Sequence, residues 1–146
     1  MGDRYRRPVP SCVHVAEAFV VHPETGHVLV VHNPTSWSFP AGRVEEGETF
    51  AEAVVRETLE ETTVSIEALG VLAVSERAPL TRTRVLFVTF ATRYVDGVPS
   101  AGDDPEISKA LWLPPDEAEQ RVDFLPGPIA TLLTAVPGVR YEAKAW

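Results

Sequence analysis

Cysteine is all but missing from this chain. Cys12 stands alone, so no disulfide can close within the chain and no thiolate zinc cluster can form. It reads as a buried thiol, and a cytoplasmic address is expected. Positive charge is also scarce, with 13 basic residues against 21 acidic ones and a formal charge of −8. That balance argues against bulk binding to a nucleic-acid polymer or an anionic membrane. It leaves room for a small phosphorylated molecule, because metal ions and a few placed arginines can invert the local field. Long apolar runs are lacking too. Phe19–Val21, Val28–Val31 and Val85–Val88 are strand-sized and too short to span a bilayer. Arg4, Arg6 and Arg7 near the start precede no apolar stretch of signal-peptide type. There is no internal repeat, low-complexity segment or linker. At 146 residues and 45% hydrophobic, the chain fits a single domain over residues 1–146, with residues 1–10 expected as a flexible N-terminus.

The elements follow from pattern and punctuation. Cys12 to His22 is valine-rich and partly alternating, which predicts a strand. The turn Pro23-Glu24-Thr25-Gly26 joins it to a second strand over His27 to His32, so a hairpin is expected. Trp37-Ser38-Phe39-Pro40 is short and extended, and Ala41 to Glu48 reads as a loop. Thr49 with Glu52 three residues later forms a capping box for a helix running to about Glu61. Ala51, Val55 and Leu59 predict its apolar stripe, and Glu52 and Arg56 an i, i+4 pair. Val64 to Val74, Thr83 to Tyr94 and Lys109 to Leu113 predict further strands. Helices are expected to start at Pro114-Pro115-Asp116 and to cover Pro128 to Val136. Strands and helices mix without a regular βαβ rhythm, which predicts an α/β sandwich around a mixed sheet.

What the chain has in abundance is glutamate between residues 42 and 64. Glu57, Glu60 and Glu61 stand at i, i+3 and i+4, so a helix gathers them within about 100° of arc. Three carboxylates that close repel one another unless positive charge sits between them, and hard cations such as Mg²⁺ prefer oxygen ligands. A solvated acidic helix face is the plain alternative.

The wider spacing decides between the two. It runs Gly42, five residues, Glu48, seven residues, Arg56-Glu57-Thr58, one residue, Glu60-Glu61, one residue, Thr63-Val64. This closely resembles the signature of the Nudix hydrolases, a loop–helix–loop set in an α/β/α sandwich. Every charged position is matched, while Thr63 replaces the second glycine and Thr58 a bulky aliphatic residue. Pro40-Ala41-Gly42, and more loosely the strand from Arg84, resemble a MutT-like subgroup of small bacterial Nudix phosphatases acting on nucleoside tri- and diphosphates.

The resemblance implies a hydrolase of a phosphoanhydride in a nucleoside di- or triphosphate or a nucleoside-diphosphate-linked metabolite. A nucleotide-sensing module and a hydrolase of non-nucleotide pyrophosphates are the alternatives. It implies Glu57, Glu60 and Glu61 as ligands of Mg²⁺ or Mn²⁺, helped by the Gly42 carbonyl. Arg56 paired with Glu48 would brace the loop. Glu57 is the candidate base, with Glu106 in its place as the alternative. A β-branched Thr63 takes the left-handed helix-ending conformation poorly, so a different helix end is expected there.

Outside the signature, Trp37 reads either as a stacking platform for a ring or as a rim aromatic. Arg82 and Arg84, on one side of their strand, and Arg77, in the turn before it, read as phosphate contacts or as solvated charge. Asp103, Asp104 and Glu106 offer a further ligand, or simply a solvated loop. A small-molecule partner is expected, and an exposed hairpin edge would allow a homodimer.

Overall fold

The computed structural model describes residues 11–77 and 83–144. The expected flexible N-terminus and Arg82 lie outside the described residues. Among the described residues seven strands and three helices follow one another as β1 (Cys12–Phe19), β2 (Val28–His32), β3 (Trp37–Ser38), β4 (Ala41–Arg43), α1 (Phe50–Thr62), β5 (Ser65–Arg77), β6 (Arg84–Asp96), β7 (Lys109–Leu113), α2 (Pro115–Arg121) and α3 (Ile129–Thr134).

The strands form two sheets. One has the order β4-β1-β6-β5, the other β3-β2-β7. The larger is mixed: β1 runs parallel to β6 and antiparallel to β4. Alternation along the strands sends side chains to two cores. Ala16, Ala18, Val20 and Leu29 pack with Ala53 and Val54 of α1. Phe19, Val28 and Val30 pack with Ala118 and Val122 at α2 and with Ile129 and Leu132 of α3. The apolar positions of β1 and β2 named here thus alternate between the two helix layers, as period-2 patterning requires. The result is the expected α/β/α sandwich. Among the described residues no helix is long and apolar enough to cross a membrane.

Several expectations are corrected. The hairpin is local only: the His22 N–H donates to the His27 carbonyl and Val21 bridges Val28, but β1 and β2 then enter different sheets. Ala41–Arg43, read as loop, is strand β4, because its pairing with Val15, Ala16 and Glu17 is a long-range choice with no local signal. Arg77 ends β5 rather than sitting in a turn, and Cys12 is exposed.

The apolar face of α1 also differs. Its buried residues are Ala53, Val54, Thr58, Glu61 and Thr62, whereas Leu59 is 48% exposed. Burying two threonines is possible because their hydroxyls turn back onto the helix. Thr58 Oγ1 donates to the Val54 carbonyl at 2.7 Å and Thr62 Oγ1 to the Thr58 carbonyl at 2.6 Å. The rotation brings Glu61 inward, which an apolar-stripe reading could not show.

Candidate active site

Helix α1 is set at its start by Thr49, whose hydroxyl accepts the Glu52 N–H at 3.1 Å and donates to the Glu52 carboxylate at 3.0 Å. At its end Thr63 takes the left-handed conformation after all, at φ 62° and ψ 10°, with its N–H on the Leu59 carbonyl. The helix therefore ends as a glycine would end it. What holds the threonine there is the segment after β6. Thr63 Oγ1 donates to the Val98 carbonyl at 2.8 Å. The N–H groups of Ser100, Gly102 and Asp103 reach the carbonyls of Thr62, Glu61 and Glu60. Three carbonyls that every helix leaves unpaired at its C-terminus are thus satisfied from a distant loop.

Arg56 is the hub of the charged cluster. Its Nε and Nη2 form a fork on Glu48, at 2.6 and 2.8 Å. Nη1 reaches Glu57 at 2.8 Å and Glu60 at 3.1 Å, and Nη2 donates to the Arg43 carbonyl at 3.1 Å. The expected Glu52 partner is replaced by these, because the Glu48 fork ties Arg56 toward the preceding loop. The fork and the contact with Glu57 hold the Arg56 guanidinium charged and raise its pKa, against the opposing pull of burial. The same fork lowers the Glu48 pKa.

Glu57 lies flat against Gly42: a Cβ built on that glycine would meet the Glu57 carboxyl carbon at 2.0 Å. Any side chain there would push the carboxylate away, which is a physical reason for glycine at this place. Burial raises the Glu57 pKa, opposed by Arg56, with Glu60 and Asp104 adding to the rise. Glu61 is 3% exposed and accepts the Ala41 N–H at 2.9 Å. Burial pushes its pKa to about 8; the Ala41 bond works against this, and the charges of Glu57, Asp104 and Glu60 add to it.

Four acids of two segments therefore share one region, and Arg56 is the cation between Glu57 and Glu60. Among the described residues no three His, Cys, Asp or Glu side chains converge at metal-ligand distance. The donor chemistry nevertheless fits a hard divalent cation. The side-chain donors are all carboxylate oxygens, and the two most enclosed, Glu57 and Glu61, are ones whose ionised forms burial disfavours.

Trp37 packs, partly buried, against the second core, its ring 4.6 Å from His32 and under the Arg121 guanidinium at 5.4 Å. Arg84 is exposed at the start of β6, opposite Cys12. Glu106 is exposed and its N–H donates to Asp104 Oδ1. Asp104 is the loop acid whose charge reaches Glu57 and Glu61.

A second feature was not anticipated. On the face of β1 turned away from α1, Glu17 is 6% exposed and accepts the Thr89 hydroxyl at 2.8 Å. Burial pushes its pKa to about 7, opposed by the Thr89 bond and the Arg77 charge. It lines a cavity of about 250 Å³ with Arg77, Phe87, Asp123 and Phe124. The Arg77 guanidinium lies 3.5 Å from the Phe124 ring centre and 5.0 Å from that of Phe87. Glu17 pairs across the strands with Ala41, whose N–H binds Glu61, so one residue of β4 joins the cavity to the carboxylates. A lone charge inside an apolar strand was the available sequence signal.

Comparison with known proteins agrees with this architecture. The NUDIX domain family model matches residues 13–132. The phosphatase NudJ of Escherichia coli is 32% identical over 111 residues, which cover 73% of this chain and 72% of that protein. The 8-oxo-(d)GTP phosphatase of Mycolicibacterium smegmatis is 35% identical over 108 residues, covering 70% of this chain. That match spans only 32% of the relative's own length, about a third. A solved NUDIX hydrolase from Nitrosomonas europaea superposes with a TM-score of 0.65 at 25% identity, over 85% of each chain. Matched over most of its length in sequence and in fold, the chain belongs to the Nudix family.

Proposed function

We propose that this chain is a magnesium-dependent hydrolase of a phosphoanhydride bond in a nucleoside di- or triphosphate or a related nucleoside diphosphate derivative. The observation that carries the reading is the seating of the Glu57 carboxylate on Gly42 while Arg56 is forked onto Glu48. That arrangement fixes a carboxylate row on one helix turn beside a backbone strand. The names of the E. coli and M. smegmatis relatives add support for a phosphorylated nucleotide as substrate.

Glu57, Glu60 and Glu61 would hold the cation, with the Gly42 carbonyl beside them and Asp104 as the further acid. When bound, the cation supplies positive charge to the diphosphate oxygens and makes water more acidic. The remaining work belongs to the chain. Arg56 holds Glu48 and the loop against the helix, so the carboxylates keep their aim. Water adds to one phosphorus, the bridging P–O bond breaks, and the bridging oxygen leaves with the other phosphate. The water proton passes to a carboxylate. Glu57 is the candidate. Glu106 is the alternative base, and Asp104, to which its N–H donates, is a second acid of the same loop. The cavity beside Glu17 would take the non-phosphate end of the substrate, with Phe124 as a face for stacking and Glu17 as a hydrogen-bonding group.

The test is release of phosphate or nucleoside monophosphate from a panel of nucleotides, nucleoside diphosphate sugars and non-nucleotide pyrophosphates with Mg²⁺. Glu57→Gln and Glu60→Gln should each lower kcat by about 10²-fold or more. Full activity in both would remove the carboxylate row from the mechanism. Tight nucleotide binding without turnover in the unaltered protein would replace the hydrolase with a binding module.

A further inference from the structure

Beyond residue 132, where the family match ends, the chain returns to helix α1. Pro137 crosses β5 so closely that a Cβ on Gly70 would lie 2.9 Å from the proline Cβ. Val139 then makes an antiparallel bridge to Val71 on that strand, which is the edge of the larger sheet. Two residues on, the Tyr141 ring packs edge-on against Phe90, 5.1 Å between centres at 83°. Phe90 is fully buried in the core beneath α1. The Tyr141 hydroxyl accepts the N–H of Ala51 at 3.2 Å.

Ala51 is in the first turn of α1, where helix N–H groups have no partner within the helix. Thr49 serves Glu52 and Ala53, through its hydroxyl and its carbonyl respectively, and Tyr141 serves Ala51. The other end of α1 is held by the N–H groups of Ser100, Gly102 and Asp103. The helix bearing Arg56, Glu57, Glu60 and Glu61 is therefore gripped at both ends by segments remote in sequence. A catalytic constellation tolerates displacements of only about 0.5 Å. A directional bond at the helix start resists such a displacement in a way that core packing alone does not.

We infer that Pro137–Tyr141 is a positioning strap for the metal-binding helix, and that Tyr141, through its bond to Ala51, sets how well the α1 carboxylates converge on a divalent cation. The inference rests on α1 being the metal helix. Tyr141 touches neither substrate nor metal and acts through the helix.

Two variants test it. Tyr141→Phe keeps the ring on Phe90 and removes only the hydroxyl. Gly70→Ala leaves Tyr141 intact and pushes on Pro137. Calorimetric titration with Mn²⁺ in the absence of nucleotide reads cation affinity, hydrogen exchange reads the Ala51 amide, and steady-state kinetics separate KM from metal half-saturation. Both variants should bind Mn²⁺ about threefold to tenfold more weakly, at or below the lower end for outer partners of metal ligands. The Ala51 amide should exchange faster, and KM for nucleotide at saturating metal should stay unchanged. Faster Ala51 exchange or a lower Tm with unchanged Mn²⁺ affinity in both variants would reduce the strap to a helix cap and overturn the inference. Unaltered protein that binds no Mn²⁺ would overturn the metal reading of α1 itself, and the strap's role with it.

Discussion

The backbone N–H of Ala41 donates to Oε1 of Glu61 across 2.9 Å, tying the most deeply buried carboxylate of α1 to strand β4. A single hydrogen bond from a neutral donor does not offset the burial of that carboxyl, which titrates at about 8. Burial thus favours the protonated form of Glu61 at neutral pH until a cation joins it.

Cation binding should therefore be pH-dependent. A ligand must lose its proton to coordinate, so apparent affinity rises with pH until the carboxyl is ionised. Between pH 6 and 7, well below the Glu61 value of about 8, Mn²⁺ affinity should rise by about tenfold with release of close to one proton. Calorimetry in two buffers of different ionisation enthalpy measures both quantities. Glu61→Gln should flatten the profile, and an affinity constant from pH 6 to 8 would remove Glu61 from the cation site.

Glu17 gives a separate dependence, in stability. Its value is about 7 in the fold against 4.5 for an ordinary glutamate, with burial as the leading cause. Between those two values the folded chain holds a proton that the unfolded chain has released, so stability falls as pH rises through that window and levels off above it. The loss is on the order of 3 kcal/mol. Gln at this place keeps an oxygen for the Thr89 hydroxyl and does not titrate. Urea melts should then show Glu17→Gln gaining on the parent by roughly that amount between pH 4.5 and pH 8. A difference independent of pH would mean that the carboxyl is far better solvated than its 6% exposure implies.

Thr63 offers a test of local strain against a long-range bond. A left-handed conformation costs a non-glycine residue about 1–2 kcal/mol. The Thr63 hydroxyl bond to the Val98 carbonyl returns about 0.5–1.5 kcal/mol. Glycine would relieve the strain, lose the bond and enlarge the entropy of the unfolded chain. Thr63→Gly should therefore change unfolding free energy by less than about 1 kcal/mol in either direction. A change above about 2 kcal/mol would show that one of these effects has been misjudged.

Much of the carboxylate cluster was legible from residue spacing because helix geometry is local. The i, i+3, i+4 step alone puts Glu57, Glu60 and Glu61 together, and the Thr49 cap marks where the helix begins. The pairing of Arg56 with Glu48 came from family resemblance, and the structure shows it as a two-bond fork. Trp37 was legible by residue type and Arg84 by strand alternation, and neither signal carries a position in the fold: Trp37 packs, partly buried, against the second core, and Arg84 stands exposed at a strand start.

The remainder depended on contacts between segments far apart in the chain. Ala41–Arg43 became a strand by pairing with β1, and Asp104 came near Glu57 because its loop caps the end of α1. Glu17 acquired its cavity from Phe87, Arg77 and Phe124, and Tyr141 reached Ala51 across 90 positions. A helix repeats every 3.6 residues, so spacing within α1 carries its own geometry. Which strand lies beside which, and which loop closes a helix end, is settled by burial and hydrogen-bond satisfaction over the whole fold. No short stretch of residues carries that information.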